Sequence, residues 1–218
     1  MQHFYRKSWV VMTILVLLFS AFPPHVFADV GAGEEGWSFR AFGSNTGEDK
    51  NPDPQFNEDG SVTIEAAGGK IASSEVGLSY YSTKLSADSN FKLTTTAHAD
   101  AYSPDSQRAF GLMLRDGVGE DGDSGKQNSN YVAVGALDDA MRGFYSKGGL
   151  EKLDVFSENV APGPGEAYEL SIQKSGDTFK VTSNGQSETV SIDGLFEEEL
   201  YLGVFVARNG TIHSRIRT

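Results

Sequence analysis

The sequence predicts an all-β domain, a sandwich or barrel of short antiparallel strands. Three observations carry that prediction. Apolar and polar residues alternate with a period of two, turn residues break the alternation into short runs, and helical periodicity is confined to LFEEEL at 195–200.

The elements follow in order from Trp37. WSFRAF (37–42) alternates Trp37 and Phe39 on one side, and SVTIEA (61–66) and residues 70–73 read as further strands. In GLSYYSTK (77–84) the adjacent Tyr80 and Tyr81 must point to opposite faces. NFKLTTTAHAD (90–100) gathers Lys92, Thr94, Thr96, His98 and Asp100 on one polar side. The strand at 108–115 differs: Phe110, Leu112 and Leu114 lie on one side, and Gly111, Met113 and Arg115 on the other. Both sides are apolar or small until Arg115, which predicts an interior strand covered on both faces. NYVAVGA (130–136), MRGFYSK (141–147) and residues 151–156 come next. EAYELSIQK (166–174) alternates Tyr168, Leu170 and Ile172, then passes through Ser175-Gly176-Asp177 into DTFKVTS (177–183). Residues 187–191, ELYLGVFVA (199–207) and 211–217 complete the set. Asp59-Gly60, Gly176-Asp177 and Asn184-Gly185 each supply a residue that tolerates positive φ, as tight hairpins require. Pro52, Pro54, Pro104, Pro162 and Pro164 all fall between strands, where a missing N–H costs nothing.

Residues 1–28 read as an export leader. Arg6 and Lys7 precede the apolar run WVVMTILVLLFSAF, and Val26 and Ala28 supply the −3 and −1 positions of a cleavage site after Ala28. Residues 29–36 form a flexible lead-in and 37–218 one β-sandwich domain, expected to be secreted, extracellular and monomeric. Loss of Arg6 and Lys7 leaves 16 Lys plus Arg against 30 Asp plus Glu, a net charge of −14. So acidic a chain is a poor partner for nucleic acid or an anionic membrane, which are held by clustered cations. An acidic polysaccharide stays open, provided a local cluster of cations meets it. There is no cysteine, so the domain must be held by its core, and thiol catalysis, thiolate zinc and iron–sulfur chemistry are excluded.

WSFRAFGSNTG, DGSVTIEAAGGKIASSEVGLSYYSTKL, FGLMLRDG, SNYVAVGALDDAMRGFY and GVFVARNG together resemble an accessory domain of secreted bacterial pectate lyases and related polysaccharide-degrading enzymes. AYELSIQKSGDTFKVTSNGQ is similar to the central hairpins of concanavalin A-like, or laminin G-like, sandwiches. The resemblance implies a jelly-roll β-sandwich of two antiparallel sheets standing beside a separate catalytic domain. The chain is then either a stand-alone module or the N-terminal part of a longer enzyme.

Sugar recognition pairs polar forks with aromatic faces, because a guanidinium grips a carboxylate or vicinal hydroxyls in a bidentate way. Arg115, Arg142 and Arg208, in RDG, MRGFY and ARNG, are the candidate forks, with Tyr131, Tyr145 and Tyr81 as candidate neighbours. Arg115 leads, since it shares its side of the strand with Gly111 and Met113, a face with room for a ligand. Each arginine could equally end a strand in water or pair with a nearby acid. GVGEDGDSGKQNSN offers hard oxygen donors, and Asp121 and Asp123 are the candidate ligands for a structural Ca2+, although the spacing is not that of an EF-hand.

No catalytic signature stands out. The paired carboxylates of sandwich-fold glycosidases have no counterpart, since Glu197, Glu198 and Glu199 are consecutive. His98 and His213 survive removal of the leader, and neither belongs to a recognisable acid–base set. The sequence therefore points to a non-catalytic carbohydrate-binding module acting on a pectin-like or other plant cell-wall glycan. A glycan-active lyase or hydrolase, and a purely structural spacer, are the alternatives.

Overall fold

The computed structural model describes residues 36–72, 75–122, 129–156 and 162–217. The expected leader, most of the lead-in and Asp123 lie outside the described residues. Those that are described form strands and turns without a helix. In chain order the first strands are β1 (Trp37–Gly43), β2 (Gln55–Phe56), β3 (Val62–Ala66), β4 (Lys70–Ala72) and β5 (Glu75–Ser86). The middle of the chain forms β6 (Phe91–Tyr102), β7 (Asp105–Arg115), β8 (Tyr131–Asp138), β9 (Ala140–Ser146) and β10 (Leu150–Val155). The last are β11 (Ala167–Ser175), β12 (Thr178–Ser183), β13 (Gln186–Ser191), β14 (Glu199–Ala207) and β15 (Gly210–Arg217).

These strands make two antiparallel sheets stacked as a jelly-roll sandwich. An eight-stranded sheet runs β1-β5-β14-β7-β8-β9-β10, with β4 also paired to β5, and a seven-stranded sheet runs β13-β12-β11-β6-β15-β3-β2. The strands expected from alternation are present, with ends displaced by a few residues. β2 is an addition: two exposed residues are too few to show a period. The helical turn expected at 195–200 is absent. Leu195 and Phe196 are both buried in the core, and the chain bends through Glu197 and Glu198 into β14.

Between the sheets, Phe110, Leu112 and Leu114 of β7 and Val132 and Val134 of β8 meet Leu170 and Ile172 of β11 and Phe179 and Val181 of β12 in one cluster. Each such side chain contributes about 1.5–3 kcal/mol by leaving water. Edge-to-face contacts of Tyr102 with Phe110 (4.9 Å) and Phe179 with Phe196 (5.7 Å) add orientation to that burial.

A second cluster covers the opposite face of the eight-stranded sheet. It contains Phe42, Leu78, Tyr80, Met113, Tyr131, Phe144 and Phe205. Phe144 stands edge-on to both Phe205 (6.3 Å) and Tyr131 (6.2 Å). Gly111 and Gly135 oppose each other across β7 and β8, each at φ +152°. A Cβ on Gly111 would lie 2.1 Å from the Val134 carbonyl oxygen, and one on Gly135 2.0 Å from that of Phe110. The close approach of these two central strands therefore requires glycine at both positions.

Candidate functional site

β7 sits between β14 and β8, and its residues from Ala109 to Arg115 are all buried, as expected of an interior strand with two apolar sides. Arg115 closes it on the outer face, directly opposite Tyr131 on one side and Tyr201 on the other. It is not a surface fork: its relative exposure is 0%, and that of Tyr131 is 1%. The guanidinium lies 4.8 Å from the Phe42 ring centre, donates through Nε to the Gly117 carbonyl, and approaches Met113 Sδ at 4.0 Å. Burial lowers the Arg115 pKa to about 10, so it keeps its charge at neutral pH. Burial pushes Tyr131 up to about 12, against the pull of the Arg115 charge. Arg115 Nη2 and Tyr131 Oη have no hydrogen-bond partner. These donors are sealed under the outer cluster, so a glycan cannot reach them in this conformation.

The remaining sequence candidates are dispersed. Tyr81 faces the inter-sheet core, where it packs against Trp37 (5.1 Å) and Phe56 (5.6 Å). Tyr145 is half-buried against the same core, on the side of β9 opposite Arg142 and Phe144. Arg142 shares the outer face with Arg115 but is the register partner of Gly135, four residues along β8 from Tyr131. That separation is about 13 Å. Arg208 sits at φ +61° in the turn after β14, and its Nη1 donates to Gln107 Oε1 at 2.6 Å. The structure thus brings Arg115 and Tyr131 together and leaves the other four apart.

Asp121 is engaged in local structure. Its carboxylate pairs with Arg40 Nη1 at 2.9 Å and accepts from the Ala41 amide at 3.1 Å, fastening the loop after β7 to the edge of β1. Asp123 lies outside the described residues. Among the described residues no group of three or more His, Asp or Glu side chains is placed to hold a metal ion. A depression of about 400 Å³ is lined by Asp116, Asn130, Glu197, Glu198 and Glu199, with Gly194 and Leu195. Its acidity would repel a negatively charged chain.

The outer face of the seven-stranded sheet is built differently. In β15 the run Ile212-His213-Ser214-Arg215-Ile216-Arg217 sends the isoleucines inward and His213, Arg215 and Arg217 outward. β6 sends Lys92, Thr94, Thr96 and His98 to the same side. Register then pairs His213 with His98, Arg215 with Thr96, and Arg217 with Thr94. Across β11, Thr94 meets Ser171 and Lys92 meets Gln173, and Gln173 in turn meets Lys180 of β12. Asp59, Thr96, His98, His213, Arg215 and Arg217 line a shallow depression of about 190 Å³.

The histidine end of that depression is organised by hydrogen bonds. His213 Nδ1 lies 3.2 Å from Thr63 Oγ1 and 3.4 Å from Asn57 Nδ2, and Nε2 lies 3.8 Å from Asp59 Oδ2. The His98 ring stands edge-on to it at 6.2 Å. The Ser61 hydroxyl and amide donate to Asp59 and, with the nearby His213 and Arg215, hold its carboxyl below the ordinary aspartate range. Arg215 also donates to the Asp59 carbonyl. Sequence reasoning passed over this group because it treated His98 and His213 singly. The signal was the outward period of two in HSRIR, and pairing of β15 with β6 completes it.

Residues 40–148 match the family described as the pectate disaccharide-lyase N-terminal domain. The chain is 44% identical over 213 residues to pectate lyase L of Thermoclostridium stercorarium, a match spanning 94% of this chain and 17% of that protein. It thus spans about a sixth of that relative's length. Among solved structures, it is similar to alginate lyase A1-II′, a member of polysaccharide lyase family 7 (TM-score 0.54, 15% identity, 83% of this chain and 91% of that one). It is also similar to lectin II from Ulex europaeus (TM-score 0.50, 10% identity, 87% and 97% of the two chains). At these identities the two structures speak to the sandwich fold alone.

Proposed function

The chain belongs to the pectate disaccharide-lyase N-terminal domain family, and from that premise we propose that it is a non-catalytic module that holds a pectin-degrading enzyme on its polysaccharide. Residues 1–28 serve as its export leader, and the remainder acts outside the cell as a monomeric sandwich of the concanavalin A-like or laminin G-like kind. The observation that carries the reading is the closure of the face bearing Arg115 and Tyr131. Aromatic and aliphatic side chains fill that face, and the Arg115 guanidinium and Tyr131 ring are buried among them. Contact with a glycan then falls to the exposed surface, and affinity on the order of millimolar to micromolar suits such a shallow site.

The test is affinity electrophoresis of the purified chain through gels containing polygalacturonate, methyl-esterified pectin or galactan, with a parallel assay for unsaturated uronides. Retardation by at least one glycan without product release is expected. Release of unsaturated or reducing ends would make the chain an enzyme, and passage through every gel without delay would leave it a spacer.

A further inference from the structure

We propose that the outer face of the seven-stranded sheet binds the carboxylate-bearing backbone of a polyuronate, across the depression lined by His98, His213, Arg215 and Arg217. The proposal rests on the glycan-holding reading above and assigns it a surface and a ligand charge.

The chain carries a formal net charge of −12, yet Lys92, His98, Lys180, His213, Arg215 and Arg217 gather on adjacent strands of one face. Glu65 and Asp100 lie at its margin, Asp59 lines the depression beside His213, and Glu169 ends the Arg215–Thr96 row, while the neighbouring rows hold Thr94, Ser171 and Gln173. The face therefore offers two kinds of contact. Arg215 and Arg217 present planar forks on one side of β15, about 7 Å apart, and hydroxyls and an amide lie beside them on β6 and β11. A polyuronate presents a carboxylate on every sugar with hydroxyls between, which matches this order of cations and neutral donors. Among the described residues of β3, β6, β11, β12 and β15, the face carries no Phe, Tyr or Trp. Recognition is accordingly by charge and hydrogen bonding rather than ring stacking. Binding should weaken with salt and with methyl esterification, which removes the ligand's charge.

The deciding experiment compares polygalacturonate binding by the wild-type chain, by Arg215→Ala with Arg217→Ala, and by Arg40→Ala with Lys84→Ala. The last pair makes the same charge change on the other sheet. Loss of two charge-assisted contacts should weaken binding about ten-fold or more in the first pair and about two-fold or less in the control. Equal binding by all three chains would overturn this surface while leaving the glycan-holding reading intact. Equal binding of methyl-esterified pectin or of DNA would overturn recognition of uronate charge, and absence of wild-type binding would overturn both readings. Should the double variant fail to fold, wild-type amide shifts on adding galacturonate oligomers decide the matter. Shifts concentrated on β6 and β15 support the assignment, and shifts concentrated on β7 and β8 overturn it.

Discussion

The two sheets share one core but use their outward faces in opposite ways. On the eight-stranded sheet, β7, β8 and β14 bury nearly every residue, so Met113, Tyr131 and Phe205 are as enclosed as Leu112, Val134 and Val204 on the core side. On the seven-stranded sheet, β15 alternates throughout and β6 as far as Asp100, with Leu93, Ala97, Ile212 and Ile216 inward and Lys92, His98, Arg215 and Arg217 outward. One sheet commits both faces to stability, and the other keeps one face in water with polar and cationic groups to offer. A ligand that must be met from solvent has little to work with on the first and a prepared surface on the second.

The largest test of this contrast removes a ring from the closed face. Phe205→Ala deletes a fully buried side chain that packs edge-on against Phe144, and it should cost about 3–5 kcal/mol in chemical denaturation. A loss below about 1 kcal/mol would show that the outer cluster is loosely packed and that this face can open to a ligand.

Much of this arrangement was legible in the residues. The strands followed from period-two alternation, and the double burial of β7 from the apolar character of both Phe110-Leu112-Leu114 and Gly111-Met113. The site was less legible, because a strand pattern says which side a residue takes and not what lies over it. Arg115 shares its side with a glycine and a methionine, which in sequence suggests room. In space Phe42 and Val118 come from outside β7 to pack over that side. His213, Arg215 and Arg217 share a side in sequence too, but their meeting with His98 depends on β15 pairing with β6 from more than a hundred residues away.

A smaller effect separates the faces by pH. Burial raises Tyr80, Tyr102 and Tyr131 above the ordinary tyrosine value, Tyr131 to about 12, and among the described residues of β3, β6, β11, β12 and β15 the outer face carries no tyrosine. In the unfolded chain these phenols ionise near 10, so above that pH the unfolded state binds fewer protons and stability falls. The stabilisation is complete below pH 10 and is lost as pH rises toward the folded values. Arg115, lowered to about 10, works in the opposite sense over the same window but is one group against three. Tyr131 alone accounts for about 2 kcal/mol of this loss by pH 12. Melting temperature should hold up to pH 10 and then drop, with a shallower drop in Tyr131→Phe. An unchanged alkaline profile in that variant would mean that the Tyr131 hydroxyl reaches water.

The smallest expected effect is the most discriminating, because it separates a face built for stability from one that is not. Thr96 lies between Arg215 and Glu169 on the open face, half-buried at the floor of the cationic depression. Thr96→Val keeps the β-branch and the volume and removes a single hydroxyl, so strand propensity is preserved. Stability should change by no more than about 0.5 kcal/mol, as is usual for surface positions without a packing role. If the face holds a polyuronate, the same variant should weaken binding about three-fold, since one neutral hydrogen bond contributes about 0.5–1.5 kcal/mol. A stability loss above about 1 kcal/mol would instead place Thr96 in a structural network, and the outward face of β6 would then serve the fold much as the outward face of β7 does.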